Sequence, residues 1–152
     1  MSEQGQNKDL ELLTFRVADQ EYSLDIMSVR EIRGWTRTTP MPHAPDYMRG
    51  VINLRGTVLP VMDLARRLNL PSQETNDRNV IIVVKLHGTL TGLLVDAVSD
   101  IVAITEDELQ PPPDMSSDMQ QSVVRALTVI DDRMIRVLDL NAVVPVSSDE
   151  AA

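Results

Sequence analysis

The sequence contains no cysteine and few aromatic residues, which make up 3% of its 152 residues. Without cysteine it can form no disulfide, no thiolate metal site and no cysteine nucleophile. A core with so few rings must be built from Val, Ile, Leu and Met, and the first two favour β-strands. The longest purely apolar run, Val80 to Val84, is far too short to cross a bilayer as a helix.

Basic residues are outnumbered, since 14 Lys and Arg stand against 23 Asp and Glu for a net charge of −9. A field of that sign disfavours nucleic acid and anionic membrane surfaces as partners, although it suits a protein that offers a basic patch. The N-terminal segment has no apolar stretch typical of a signal peptide. We therefore expect a cytoplasmic protein with flexible tails, residues 1–9 and 147–152, around one folded unit, residues 10–146.

Apolar and polar residues alternate along most of this unit, as they do in strands with one solvated face. Leu13 to Val17 alternates in this way, and Gly50 to Asp63 predicts a hairpin that turns at Arg55-Gly56. In that hairpin Pro60 would be tolerated only at an edge or a bulge. About ten such strands with tight turns predict a mainly β protein built from small barrels, without a strong internal sequence repeat.

A few short helices are expected between the strands. Asp25 precedes an apolar period of three from Ile26 to Ile32, which predicts a short helix with Asp25 as its N-cap. Asp63 would cap a second helix, Leu64 to Leu70, in the same way. Thr105 to Glu108 matches a capping box and predicts one helical turn.

The residues that usually carry catalysis are sparse. His43 and His87 are the only histidines, they lie far apart, and no zinc-binding spacing or phosphate-binding glycine motif is present. Asp63 is explained by helix capping, and Asp131-Asp132 by a turn. The sequence therefore predicts no catalytic residues, no metal, no cofactor and no small-molecule substrate.

One cation stands out because of its surroundings. Arg55 lies in a predicted turn, where an arginine is usually just solvated, but its neighbours in sequence are mostly apolar. A single fixed charge on an apolar surface is a common way to build a protein-recognition site. The apolar neighbours are Val51, Ile52, Leu54, Val58 and Leu59.

Four segments, in this order and spacing, resemble the CheW family of chemotaxis coupling proteins. The likeness covers roughly residues 10 to 145, and four motifs in order are far more specific than one. The segments are Glu31 to Gly34, Gly50 to Leu64, Leu94 to Ile101 and Asp132 to Met134.

This resemblance implies a fold of two side-by-side SH3-like five-stranded β-barrels with a few short helices. It also implies a non-enzymatic adaptor that couples the cytoplasmic tips of chemoreceptors to the regulatory domain of the histidine kinase CheA. The protein would then be cytoplasmic and held at membrane receptor arrays through protein contacts, without inserting into the membrane.

Carried over position by position, the resemblance also implies two binding sites. The kinase would contact the loop from Gln110 to Met115, with Gln110 and Met115 themselves as contact residues. We further hypothesise that Glu31 and Arg55 pair in the receptor groove and fix the register of a bound helix. The implied receptor-binding residues are Val29, Glu31, Gly50, Val51, Asn53, Arg55 and Val98.

Other functions fit the same sequence. An adaptor of a non-flagellar chemosensory array, serving twitching motility or second-messenger control, would use the same two surfaces. A small carboxylate-dependent hydrolase would need two acids to converge in a pocket. A self-assembling structural subunit is a third alternative.

Overall fold

The structure is a computed structural model that describes residues 9–71, 77–112 and 123–144. Ten strands dominate it, with two short helices, α1 (Leu64–Arg67) and α2 (Leu140–Val143), and 3-10 turns at Ile26–Ser28 and Glu106–Glu108. The strands are β1 (Asp9–Val17), β2 (Gln20–Asp25), β3 (Val29–Gly34), β4 (Met48–Leu54), β5 (Thr57–Asp63), β6 (Val80–Leu86), β7 (Thr89–Val95), β8 (Ala97–Thr105), β9 (Val124–Ile130) and β10 (Arg133–Leu138).

The strands form two five-stranded sheets of identical topology. The first has the order β8-β1-β2-β10-β9 and the second the order β3-β6-β7-β5-β4. In each sheet two antiparallel hairpins meet through one parallel pair, β2 with β10 and β5 with β7. The predicted fold class, mainly β with two SH3-like barrels, is confirmed, and we call these units the first and the second barrel.

Each barrel closes because the edges of its sheet meet. In the second barrel Thr39 exchanges two backbone hydrogen bonds of 2.9 Å with Val51 on the edge strand β4. In the first barrel Gln110, just after β8, exchanges two of 2.8 Å with Leu127 on the edge strand β9. Covered edges leave fewer unpaired backbone groups for unwanted strand addition.

All four hairpins turn through two residues with positive φ, which matches the twist of the flanking strands. Only two of these turns contain a glycine, Arg55-Gly56 and His87-Gly88. The other two, Ala18-Asp19 and Asp131-Asp132, place residues other than glycine in the left-handed region. The predicted hairpin centred on Arg55-Gly56 is confirmed, and so is the turn predicted at Asp131-Asp132.

Three apolar clusters hold the described part of the chain together. Two are barrel interiors, which contain Leu12 and Val137 in the first barrel and Leu59 and Ile81 in the second. The third and largest lies between the barrels, where β1 and β2 face β6 and β7 and where α1 and α2 also pack, and it includes Phe15. This inter-barrel core fastens the two barrels together through non-directional apolar burial.

The barrels also repeat in sequence position. Residues 47–64 and 123–140 occupy equivalent places, displaced by 76 positions, and both hairpins carry a bulge at the same point of their register. A faint sequence signal accompanies this repeat, because Val61 to Leu64 reads V-M-D-L and Val137 to Leu140 reads V-L-D-L. In both copies the aspartate caps the following short helix.

Some local expectations were wrong. The period from Ile26 to Ile32 forms one 3-10 turn and then β3, because Val29 to Gly34 pairs with β6 and strand pairing overrides the local period. Pro60 lies in an inner strand, at a point that β7 does not reach, since the parallel pairing begins at Val61. The helix predicted from Leu64 to Leu70 ends at Arg67.

Two further expectations on local structure are confirmed, and one concerns residues that the structure does not describe. Asp25 caps the 3-10 turn as predicted, and the capping box at Thr105 to Glu108 is present. The tails predicted at residues 1–9 and 147–152 lie, apart from residue 9, outside the described residues.

Candidate protein-interaction site

The candidate site is built on the turn between β4 and β5. Arg55 and Gly56 both have positive φ, and the Asn53 side-chain oxygen accepts a hydrogen bond of 2.8 Å from the Gly56 N–H. This short-range bond closes the turn in the manner typical of Asn. The Arg55 side chain consequently projects outward with 69% of its surface exposed.

Glu31 on β3 forms ion pairs with two arginines beside this turn. Its carboxylate accepts from Arg55 Nη2 at 2.6 Å and from Arg33 Nη1 at 2.9 Å. The Glu31–Arg55 pair that we hypothesised from the sequence is therefore confirmed as a contact. Arg33 was missed because this segment was expected to be helical, whereas on the observed strand β3 a spacing of two places the Glu31 and Arg33 side chains on one face.

The two arginines determine the ionisation of Glu31. Hydrogen bonds from Arg55 first and Arg33 second lower the pKa of Glu31 to about 2, against an ordinary value of 4.5. The carboxylate raises the pKa of Arg55 in return. Glu31 is therefore ionised at neutral pH, and one carboxylate beside two arginines gives the cluster of Glu31, Arg33 and Arg55 a formal charge of +1 on a protein with a net charge of −9.

Beside this cluster lies a largely apolar surface on the outer side of β4 and β5, which we call the hairpin face. It consists of Val51, Asn53, Val58 and Pro60, and Val58 is 64% exposed. The alternation of strand side chains sends the residues between them inward. Ile52, Leu54 and Leu59 are buried in the interior of the second barrel. The expectation that they help form the apolar surface around Arg55 was wrong.

Gly50 has a backbone reason to be glycine. Its φ is +142°, and a Cβ atom placed there would overlap the carbonyl of Thr39, coming within 2.7 Å of the carbonyl carbon. The residue is buried where the strand bulges, between the pairs Met48–Met62 and Gly50–Val61. Gly50 thus shapes β4 beneath the hairpin face.

Val29 and Val98 lie away from the turn, at the junction of the barrels. Val29 begins β3 in the second barrel, and Val98 lies on β8 in the first barrel opposite Phe15. Both are partly buried and pack against the inter-barrel core. The predicted receptor residues therefore divide into a group of five on β3, β4 and the turn and a pair at the junction.

The predicted kinase-binding residues are only partly covered by the structure. Gln110 is exposed and follows the 3-10 turn at Glu106–Glu108, whose three acidic side chains are also exposed. Thr128 on β9 donates a hydrogen bond of 3.1 Å to the Glu108 carbonyl and holds this corner against the first barrel. Met115 lies outside the described residues.

The side chains that could hold a metal ion are dispersed in the described residues. Within residues 9–71, 77–112 and 123–144, no three His, Cys, Asp or Glu side chains converge as metal ligands. His43 lies in the loop before β4, and His87 contacts Asn141 at 2.9 Å. Across the same residues, no helix is long and apolar enough to span a bilayer.

Comparisons with known proteins place this arrangement in a family. The sequence profile described as "CheW-like domain" matches residues 11–147. The probable chemotaxis protein CheW of Rhizobium etli is 51% identical over 144 residues, which cover 95% of this chain and 93% of that protein. Chemotaxis protein CheW of Klebsiella aerogenes is 30% identical, covering 97% of this chain and 88% of its own length.

A solved structure shows the same architecture. The crystal structure of the scaffolding protein TtCheW from Thermoanaerobacter tengcongensis matches with a TM-score of 0.84 at 31% identity. The match covers 92% of this chain and 95% of that chain. The likeness therefore includes both barrels and the elements that carry the candidate site.

Proposed function

The chain belongs to the CheW-like family of chemotaxis scaffold proteins, and on that premise we propose that it couples the cytoplasmic tips of chemoreceptors to the histidine kinase CheA. The observation that carries this proposal is 51% identity to chemotaxis proteins over nearly the whole chain. The family consists of scaffold adaptors and not of enzymes. The chain would act by holding two partners together, in the cytoplasm and next to membrane receptor arrays.

The receptor site of this proposal consists of the hairpin face, the charge cluster and the junction of the barrels. An amphipathic receptor helix would place apolar side chains on Val51 and Val58 and on the junction pair Val29 and Val98. Glu31 and Arg55 would fix its register, because charges at the rim of an apolar surface select orientation more than they add affinity. Asn53 supports the turn that presents Arg55.

The kinase site of this proposal includes Gln110, which pairs with β9 of the first barrel, and Met115, which the resemblance adds as a second contact residue. Gln110 is tied to β9 through its backbone, so its side chain is free to contact a partner without loss of strand pairing. Pro111 and Pro112 follow it and restrict the backbone before binding, which lowers the entropic cost of association. The neighbouring carboxylates of Glu106–Glu108 favour a partner surface with basic residues.

Calorimetric titration of the chain into the regulatory domain of a CheA-type kinase from the same genome tests the coupling function. We expect saturable binding without ATP. A second titration with a receptor fragment that contains the helical tip should also saturate, and the two partners should bind together. Failure of both titrations with folded proteins would contradict the proposal.

Arg55→Glu tests the receptor site within that function. Reversing the charge should leave Glu31 facing another carboxylate and lower the affinity for the receptor tip by about tenfold or more, because a charged hydrogen-bonded pair is replaced by repulsion. Asp131→Arg is the matched control, since Asp131 occupies the equivalent turn of the first barrel. Equal receptor affinity for both variants would place the receptor elsewhere.

A further inference from the structure

Arg67 connects the two barrels. It lies on α1, directly after β5, and its guanidinium reaches α2 of the first barrel. Nε donates to the Val143 carbonyl at 2.8 Å and Nη2 donates to the Ala142 carbonyl at 2.8 Å. The last carbonyls of a helix have no N–H partner within it, so Arg67 caps α2 from the neighbouring barrel through two charge-assisted bonds.

The other side of the same guanidinium rests on the base of the β4–β5 hairpin. Its carbon lies 5.3 Å from the centre of the Tyr47 ring, and Tyr47 directly precedes β4. The Tyr47 carbonyl accepts a hydrogen bond of 2.7 Å from the Asp63 N–H, where β5 passes into α1. A movement of the hairpin base would therefore shift Arg67 against α2.

This contact has no equivalent copy in the repeat. The residue 76 positions after Arg67 is Val143, which supplies one of the two acceptors. Burial in the inter-barrel core is non-directional, whereas the two hydrogen bonds that the planar Arg67 guanidinium donates have a defined direction. The other polar link described between the barrels, His87 to Asn141, is a single exposed hydrogen bond.

We propose that Arg67 is a positioning residue that fixes the relative orientation of the two barrels and transmits changes at the hairpin face to the first barrel. The first part of this inference rests on the contacts of Arg67 alone. The second part rests on the proposed function, because it needs a receptor on the second barrel and a kinase on the first.

Spin-label distances between the barrels test the first part. The chain has no native cysteine, so Val58→Cys and Met134→Cys would give two unique labelling sites. Both positions are exposed, at 64% and 53%, and they are equivalent in the repeat. Pulsed electron paramagnetic resonance should show one narrow distance distribution between the two labels with Arg67 in place, and a broader or shifted distribution with Arg67→Ala.

Two further variants separate positioning from general loss of structure. Arg66→Ala removes an arginine from the same helix, whose side chain pairs with Asp63 instead of α2, and it should leave the distribution narrow. Arg67→Lys keeps the charge but cannot donate both hydrogen bonds from one planar group. It should give a distance distribution of intermediate width while the fold is retained. An unchanged distribution in both Arg67 variants would overturn the inference.

Reciprocal binding tests the second part. In the unmodified chain, saturating kinase regulatory domain should change the affinity for the receptor tip by about fivefold or more, and receptor should change the affinity for kinase by the same factor. Arg67→Ala should bring this factor close to one while each separate affinity changes less than about twofold. A factor unchanged by Arg67→Ala would refute transmission, whereas absence of binding by the unmodified chain would refute the proposed function instead.

Discussion

The second barrel is made of five consecutive strands, β3 to β7, whereas the first joins β1 and β2 to β8, β9 and β10 from the other end of the described chain. The barrels also differ in charge. Residues 29–95 carry nine Arg and Lys and five Asp and Glu, a net charge of +4. The remaining residues carry five and eighteen, a net charge of −13.

This difference shows that the two barrels share backbone geometry but not surface charge. Arg55 and Asp131 occupy the same place in equivalent turns, both with a φ of 52°, but they carry opposite charges. The opposing edge strand carries Arg30, Glu31 and Arg33 in the second barrel, a net charge of +1, and Asp100 in the first. Equivalent turns with opposite charges favour different partners.

The largest loss of stability is expected at Gly50, where the backbone conformations of the two barrels differ. Gly50 corresponds to Ala126, which pairs with Val137 at the same bulge without a positive φ. Gly50→Ala should lower the free energy of unfolding by about 3 kcal/mol or more, through overlap with the Thr39 carbonyl and a strained φ. Ala126→Gly should cost only about 1 kcal/mol. Urea unfolding measures both.

Gly56→Ala separates the two contributions at Gly50. Gly56 has a φ of +88° but open space where a Cβ would lie, so strain acts there without overlap. We expect a loss of about 1–2 kcal/mol. If Gly50→Ala costs no more than Gly56→Ala, the close approach to Thr39 is not what requires glycine.

A smaller effect is expected at the two equivalent helix caps. Asp139 accepts from the Asn141 N–H, and Asp139→Ala should cost about 1 kcal/mol, the usual value for an N-cap. Asp63 is buried, and its Oδ2 atom lies 3.4 Å from Arg49 Nε and 3.9 Å from Arg66 Nε. Asp63→Ala should cost about 2 kcal/mol or more, because it leaves the half-buried Arg49 without its carboxylate.

Asp63→Asn tests this reasoning, since an amide oxygen can still cap α1 but carries no charge. Thermal unfolding should place it between the unmodified chain and Asp63→Ala. If Asp63→Ala and Asp139→Ala are equally destabilised, the arginines contribute nothing and the caps are energetically equivalent.

The smallest effect concerns pH and is confined to the second barrel. The pKa of Glu31 is lowered in the folded state, so the Glu31 carboxylate stabilises the fold above about pH 4.5. This stabilisation is lost as the pH falls toward 2. The stability difference between the unmodified chain and Glu31→Gln should therefore be present at pH 6 and shrink between pH 4.5 and 2. Denaturant unfolding across this range measures it.

Arg55→Gln provides the control for that assignment. Removing the first of the two hydrogen-bonding arginines should raise the pKa of Glu31 toward its ordinary value, with Arg33 still holding it partly down. Carboxyl chemical shifts in a pH titration report this directly. A Glu31 pKa that does not move would mean that the Arg55 contact is not formed in solution.

Much of the fold could be predicted from the sequence because strand periodicity and turn chemistry are local. Alternation predicted the strand from Leu13 to Val17, and turn chemistry predicted the hairpin at Arg55-Gly56 and the turn at Asp131-Asp132. Ile26 to Ile32 failed because a period of three is ambiguous, and pairing with β6 decided its structure. The division into barrels is non-local, since β1 and β8 pair across a chain separation that no local pattern records.

The candidate site was predictable to the extent that it depends on single residues. Resemblance selected Glu31 and Arg55, and the structure joins them. The sequence alone could not decide which neighbours of Arg55 point outward, because that depends on strand register and on barrel closure. Leu59 was therefore assigned to the surface although it is buried, and Arg33 was overlooked.

The split construction of the first barrel has a consequence for synthesis on the ribosome. Translation runs from the N-terminus, so β1 and β2 emerge early but their partners β8 to β10 emerge last. The second barrel is complete in between, and its strands β6 and β7 carry Ile82 and Leu93, which pack in the same core as Phe15. The early hairpin can therefore bury its apolar face on a finished neighbour before β8 to β10 are available to pair with it.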